Sequence, residues 1–280
     1  MVIDAHQHFW RFNPARDAWI TEAMSAIRRD FLPGDLVPEL DANGIDATIA
    51  VQADQSEAET EFLLGLAEGN QRIAGVVGWV DLRSPGIEER LEHYSKFKKL
   101  CGVRHVAQAE PSDRFLASAG FVRGLALLKQ FQLTYDILIY PQQLPAAIEL
   151  AGKFPGQKFV LDHLAKPEIK AKKMEPWATQ IRELAGNPNV YCKLSGMVTE
   201  AGWETWKPGD FEPYLDVVFE AFGPERVMFG SDWPVCLVAG SYAQVTQLAG
   251  AYVERHAADR RAAIFGDNAI AFYGLKMRAN

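Results

Sequence analysis

The sequence predicts an α/β fold, a (β/α)8 TIM barrel in a single domain spanning residues 1–280. Three observations carry this. Eight short apolar runs, rich in β-branched residues, alternate with longer amphipathic stretches. Nearly every run ends on polar residues, and in a barrel those ends converge on one mouth. No composition break or linker divides the chain, whose length suits one barrel of about 250 residues with loops. A doubly wound sheet is the rival, but no G-x-G-x-x-G follows the first run.

The strands read in order as Val2–Ala5, Ala47–Val51, Ile73–Val80, Cys101–Val103, Leu133–Ile139, Lys158–Leu161, Val190–Leu194 and Arg226–Phe229. Helices are expected over Ser56–Asn70, Gly86–Phe97, Phe121–Phe131, Leu144–Phe154, Pro176–Ala185, Phe211–Phe222 and Tyr242–His256. The first of these opens on Ser56 as N-cap, with Glu59 completing a capping box. Its apolar residues Phe62, Leu63, Leu66 and Ala67 follow the helical period. The segment from Phe9 to about Pro33 is a long first loop carrying Trp10, Phe12, Arg16 and Trp19. Such a loop either packs its aromatics on the rim or covers the mouth.

Composition narrows the classes of function. Hydrophobic residues make up 48% and charged residues 23%, the profile of a soluble globular protein rather than a disordered or fibrous one. No apolar run approaches the ~18 residues of a membrane helix. Net charge is −7, which argues against nucleic acid as a partner. The densest basic cluster, Lys166, Lys170, Lys172 and Lys173, sits beside Glu168 and Glu175 and reads as solvated surface. Three cysteines, Cys101, Cys192 and Cys236, are odd in number and far apart, as reduced thiols are. The first ten residues lack the basic and apolar regions of a secretory signal, so a cytoplasmic location is expected. Nothing in the sequence fixes an oligomeric state.

The strand ends hold the candidate chemistry. His6 and His8 alternate along the first strand, so they share a face, together with Asp4. Two imidazoles there can bind a metal or polarise a carbonyl. Asp232, after the eighth strand, faces them across the closure, as a metal ligand or general base. His163 ends the sixth strand as a third ligand or a carbonyl electrophile. Arg104 and His105 end the fourth, and either could bind a carboxylate, a carbonyl or sugar hydroxyls. Tyr140, Gln52, Lys166, Lys193 and Trp79 are weaker candidates of the same kind. Asp81 and Asp136 read as structural, and His93 and His256 as surface residues. Phosphate-loop, G-x-S-x-G and C-x-x-C motifs are absent.

V-I-D-A-H-Q-H-F-W at the start, L-D-H-L-A-K-P, K-L-S-G and F-G-S-D-W-P at the later strand ends, and the closing F-G-D-N-A…F-Y-G resemble the amidohydrolase superfamily. The likeness is to its sugar-lactonase branch and runs the length of the chain. It implies hydrolysis of an aldono-lactone, such as L-fucono- or L-rhamnono-lactone, to the free acid. Asp232, His163, His6 and His8 would be catalytic. Arg104, His105, Tyr140, Lys166, Gln52, Trp79 and Trp233 would contact the sugar, the tryptophans by stacking.

The resemblance also bears on cofactors. Two-metal members carry Lys or Glu on strand four and His on strand five. This chain has Arg104-His105 on strand four and no His on strand five. The expectation is therefore at most one divalent ion (Zn²⁺), on His6, His8 and Asp232, or none. Rival activities are a sugar-diacid lactone isomerase and a metal-dependent decarboxylase. A non-catalytic sugar-acid-binding protein is a rival of another class, though a pure binder has little need of that ionisable cluster.

Overall fold

The structure is a computed structural model and describes residues 1–276. Eight parallel strands stand side by side in chain order: β1 Ile3–Gln7, β2 Ala47–Val51, β3 Ile73–Gly78, β4 Leu100–His105, β5 Thr134–Ile137, β6 Phe159–Leu161, β7 Val190–Leu194 and β8 Val227–Phe229. Just past the strand ends, Asp232 N donates to His6 O at 2.8 Å and His8 N to Trp233 O at 2.7 Å, joining the β8 end to β1. This is the expected (β/α)8 barrel.

The helices are α1 Pro33–Ala42, α2 Glu57–Gly69, α3 Ile87–Tyr94, α4 Ala119–Leu125, α5 Leu144–Lys153, α6 Trp177–Ala185, α7 Glu212–Phe222, α8 Tyr242–His256 and α9 Asn268–Tyr273. Helix α1 is not evident in the sequence, because Pro38 lies inside it; Leu36 and Leu40 bury its inner face. The expected Phe121–Phe131 helix is divided into α4 and a 3-10 turn, Leu128–Phe131. Ser56 does cap α2, accepting from Glu59 N at 3.2 Å. The Glu59 carboxylate, however, accepts from Ala53 N at 3.2 Å, so the expected reciprocal box is replaced by a tie to the loop after β2.

Two departures matter for the site. Pairing of β1 with β2 slips by one residue between Asp4 and Gln7, a β-bulge. The bulge breaks the alternation, and Asp4 does not join the histidines. It accepts instead from Ser231 Oγ at 2.6 Å and from Tyr242 Oη of α8 at 2.9 Å. On β4, Arg104 and His105 are neighbours on one strand and take opposite faces.

The barrel core has two parts. Ile3, Ala5, Ala47, Ile49, Val51, Val77, Val160 and Met228 pack with Ala269, Phe272 and Tyr273, so α9 plugs the lower barrel. A larger apolar layer lies between strands and outer helices. The long first loop does both things expected of it. Phe9 and Phe31 are buried against Trp233, and Trp10 against Phe31, whereas Trp19 and Met24 form part of the mouth.

Candidate active site

A cavity of about 530 Å³ opens at the C-terminal ends of the strands. His8, Arg104, His163 and Asp232 line it, with Asp54, Gln108, Tyr140, Lys166, Glu200 and Trp203 among its other walls.

His6 and His8 project together, their Nε2 atoms 3.2 Å apart. His8 Nδ1 lies 2.8 Å from Val51 O. A carbonyl only accepts, so Nδ1 carries the proton and Nε2 is turned to the site. Asp232 Oδ1 lies 3.3 Å from His8 Nε2, 3.8 Å from His6 Nε2 and 3.9 Å from His163 Nε2. His163 is held from behind, its Nδ1 2.9 Å from Ser195 Oγ.

Backbone strain delivers two of these side chains. Asp232 has φ +58° and His163 φ +54°, and Leu164, Ala165 and Lys166 continue in the left-handed region. Non-glycine residues pay conformational energy there, typically where a site requires it. Glycines make the room. A Cβ on Gly196 would meet His163 Nδ1 at 2.5 Å, and one on Gly230 would meet His6 Cβ at 2.6 Å. The glycines of K-L-S-G and F-G-S-D are therefore space-makers for the two imidazoles.

Beneath the histidines lies a buried charge network that sequence reading largely missed. Asp162 Oδ2 accepts from Arg104 Nη1 at 3.0 Å, and its Oδ1 lies 3.1 Å from Lys193 Nζ and 3.3 Å from His6 Nδ1. Lys193 also donates to Asp136 at 2.5 Å, and Tyr273 Oη of α9 donates to the same carboxylate at 2.8 Å. Arg104 further donates to Gln52 Oε1 at 3.0 Å and to the Gln52 carbonyl. Asp136 and Lys193 thus prop the site from below, and Gln52 holds Arg104. Strand alternation on β6 was the available signal for Asp162. It places Asp162 inward, which leaves His163 to arrive only through its left-handed backbone.

The protonation states follow. Burial would raise Asp232, but His163, His8 and His6 around it hold the carboxyl below the usual range. Burial lowers His163 to about 4, against the pull of Asp232 and Asp162, so it is neutral near pH 7. Burial likewise lowers His6, partly opposed by Asp162. For Asp162, Lys193, His6 and Arg104 outweigh burial and keep it ionised. Burial raises Asp136 to about 6, against Lys193.

The donor set fits one divalent cation. His6, His8 and Asp232 offer three ligand atoms close together. Tetrahedral zinc with bonds near 2.0–2.2 Å spaces its ligand atoms by about 3.3–3.5 Å. The observed separations of 3.2, 3.3 and 3.8 Å lie near that spacing. A second grouping, His6, Asp162 and His163, is also close-set. Its carboxylate already faces the cationic Arg104 and Lys193, which occupy the place of a second ion.

The remaining expected contacts divide. Tyr140 and Lys166 line the cavity. His105 does not: it stacks on Phe115 at 4.6 Å, lies 2.7 Å from Glu110 Oε1 and accepts from Trp79 Nε1 at 3.3 Å. Neither Trp79 nor Trp233 belongs to the lining, and Trp233 is buried behind Asp232. The aromatic walls are instead Trp19, Tyr140 and Trp203. Asp54, Gln108, Glu200 and Trp203 were not anticipated; they sit on loops and short 3-10 turns after the strands, where no periodic signal marks them.

A parallel eightfold barrel with a histidine pair and an aspartate meeting at its closure is a hydrolase-type arrangement. The chain belongs to the amidohydrolase family, whose model matches residues 3–275. It is 43% identical to an L-fucono-1,5-lactonase of Burkholderia multivorans, over 98% of this chain and 96% of that one. An L-fucono-1,5-lactonase of Burkholderia ambifaria is 36% identical over 98% and 95%. Among solved structures, a Burkholderia multivorans amidohydrolase with bound zinc superposes with a TM-score of 0.95 at 42% identity, covering 99% of this chain and all of that one. Among the described residues, no helix is long and apolar enough to cross a membrane.

Proposed function

We propose that this chain is a carboxylic ester hydrolase that opens an aldono-lactone, of the L-fucono-1,5-lactone kind, to the free sugar acid. The observation that supports it most is the ionised Asp232 set beside His6, His8 and His163 at the cavity floor, in a chain 43% identical to a lactonase of that substrate. The partner is a small neutral molecule, and the setting is cytoplasmic sugar catabolism.

His6, His8 and Asp232 would hold the single metal. Such an ion, when bound, polarises the lactone carbonyl and acidifies water. The protein's own groups do the rest. Asp232 takes a proton from the water that attacks the carbonyl carbon. As the tetrahedral centre collapses, the bond from that carbon to the ring oxygen breaks, and Asp232 returns the proton to the departing oxygen. His163, neutral, can donate from Nε2 when Ser195 donates to its Nδ1. With Arg104 it stabilises the developing oxyanion, about 3–4 kcal/mol per well-placed donor. Trp19, Tyr140 and Trp203 close the cavity around the sugar.

A panel of L-fucono-, L-rhamnono-, D-arabinono- and L-galactono-lactones in a pH-indicator assay tests this reading. Acid release supports the lactonase. Carbon dioxide release from an aromatic acid identifies a decarboxylase, and affinity without turnover a binding protein.

A further inference from the structure

The cavity has a floor and a wall of different character. The floor is the reacting centre. The wall above it carries Asp54, Lys166 and Glu200. Lys166 is the one lysine among the described lining residues, and its ammonium faces Glu200. Its Nζ stands 3.9 Å from Glu200 Oε1 and 5.5 Å over the Tyr140 ring, on a left-handed backbone of φ +50°.

Glu200 is just as firmly placed. It ends the 3-10 turn Val198–Glu200 after β7. Thr199 Oγ1 donates to Gly196 O at 2.7 Å, and Trp203 Nε1 to Thr199 O at 2.9 Å, so both sides of the turn are anchored. Arg104, the other lining cation, belongs to the floor, beside His6 and tied to Asp162 and Gln52. An anionic group on the far end of a substrate would thus meet two carboxylates, Asp54 and Glu200, and, among the described lining residues, no cation without an acidic partner. Hydroxyl groups can donate to the same carboxylates.

We infer that Glu200 is a specificity-determining residue: by occupying Lys166 and presenting its own carboxylate, it confines the site to neutral sugars and rejects those bearing a second carboxylate. This rests on the lactonase reading for its substrate class. It does not rest on the metal, which would sit on the floor. A sugar-diacid lactone, the isomerase's substrate, is the molecule so excluded, by repulsion rather than by lost contacts.

The test compares kcat/KM for L-fucono-1,5-lactone and D-glucaro-1,4-lactone in the wild type, Glu200→Gln and the double variant Glu200→Gln/Lys166→Met. The wild type should prefer the neutral lactone by about a hundredfold. Glu200→Gln should narrow that preference about tenfold, because Lys166 is released to the anion. The double variant should lose the gain. Calorimetric binding of L-galactose and L-galacturonate to the same three proteins keeps the inference separate from turnover. If neither lactone is hydrolysed, the lactonase reading fails, and the binding pair still decides the role of Glu200. Equal treatment of neutral and anionic ligands by the wild type, no binding of either sugar, or an unchanged preference in Glu200→Gln overturns the inference.

Discussion

The main-chain N–H of Asp232 donates to the carbonyl of His6 at 2.8 Å. The hydrogen bonds that close the barrel therefore also bring the carboxylate to the imidazoles. Side-chain identity at 232 is separable from this, since the bond uses only backbone.

Asp232→Asn should accordingly fold with its melting temperature little changed, and lose about 10²–10⁴-fold in kcat, the usual contribution of a positioned base. Lactone turnover and circular dichroism on the same preparation check both halves. Near-wild-type turnover would remove Asp232 from the chemistry.

Metal content should not exceed one divalent ion per chain. The second ligand grouping shares His6 with the first, and Arg104 and Lys193 already neutralise its carboxylate. Elemental analysis, with a chelator titration of activity, measures this. Two tightly held equivalents would contradict it, and full activity after complete removal would assign His6 and His8 to polarising the substrate directly.

Gly196→Ala and Gly230→Ala should both impair the site, to different degrees. At Gly196 the new methyl meets a ring atom of His163 and the backbone has φ +62°, so strain and clash add. A loss of about 1–3 kcal/mol is expected there. At Gly230 the obstacle is His6 Cβ and its amide. Urea melts and kcat should show activity falling further than stability predicts, because each methyl displaces an imidazole. Unchanged kcat in both would mean the rings have other room.

The fold was legible because every strand is a compact apolar run punctuated by polar residues. Strand ends pointed to His6, His8, His163 and Asp232, since the closure of the barrel makes neighbours of its first and last strands. Alternation was informative where it held and misleading where the bulge broke it, as at Asp4. Applied to β4 it would have separated Arg104 from His105. The walls were illegible for another reason: Asp54, Glu200 and Trp203 occupy loops and a short 3-10 turn, whose course depends on tertiary anchors such as Trp203 Nε1 to Thr199 O.

Lys193→Met should cost about 3–5 kcal/mol, the usual result of removing one partner from a buried ionic group. Asp136 and Asp162 both face its ammonium with no exposure to water. Tyr273→Phe deletes one hydrogen bond to Asp136 and should cost about 1 kcal/mol. Denaturant unfolding of both variants reads the difference. Equal, small effects would show that the network is wetter than its burial indicates.

Glu59 gives a pH dependence that can be isolated from the site. Burial raises its carboxyl to about 7, although Ala53 N and the Arg16 charge both favour the ionised form. The folded state therefore keeps a proton that the unfolded chain releases near pH 4.5. Stability from this group is fully present below pH 4.5, falls as pH rises, and is lost by about pH 7, a change of about 3 kcal/mol. Glu59→Gln retains a carbonyl oxygen for Ala53 N and cannot ionise. The stability difference between variant and wild type should thus be small at pH 4.5 and grow in the variant's favour to about 3 kcal/mol at pH 8. Other titrating groups, including Asp4 and Asp136, cancel in that difference. Denaturant midpoints of the two proteins at pH 4.5, 6 and 8 measure it, and a difference independent of pH would show that Glu59 is ionised throughout.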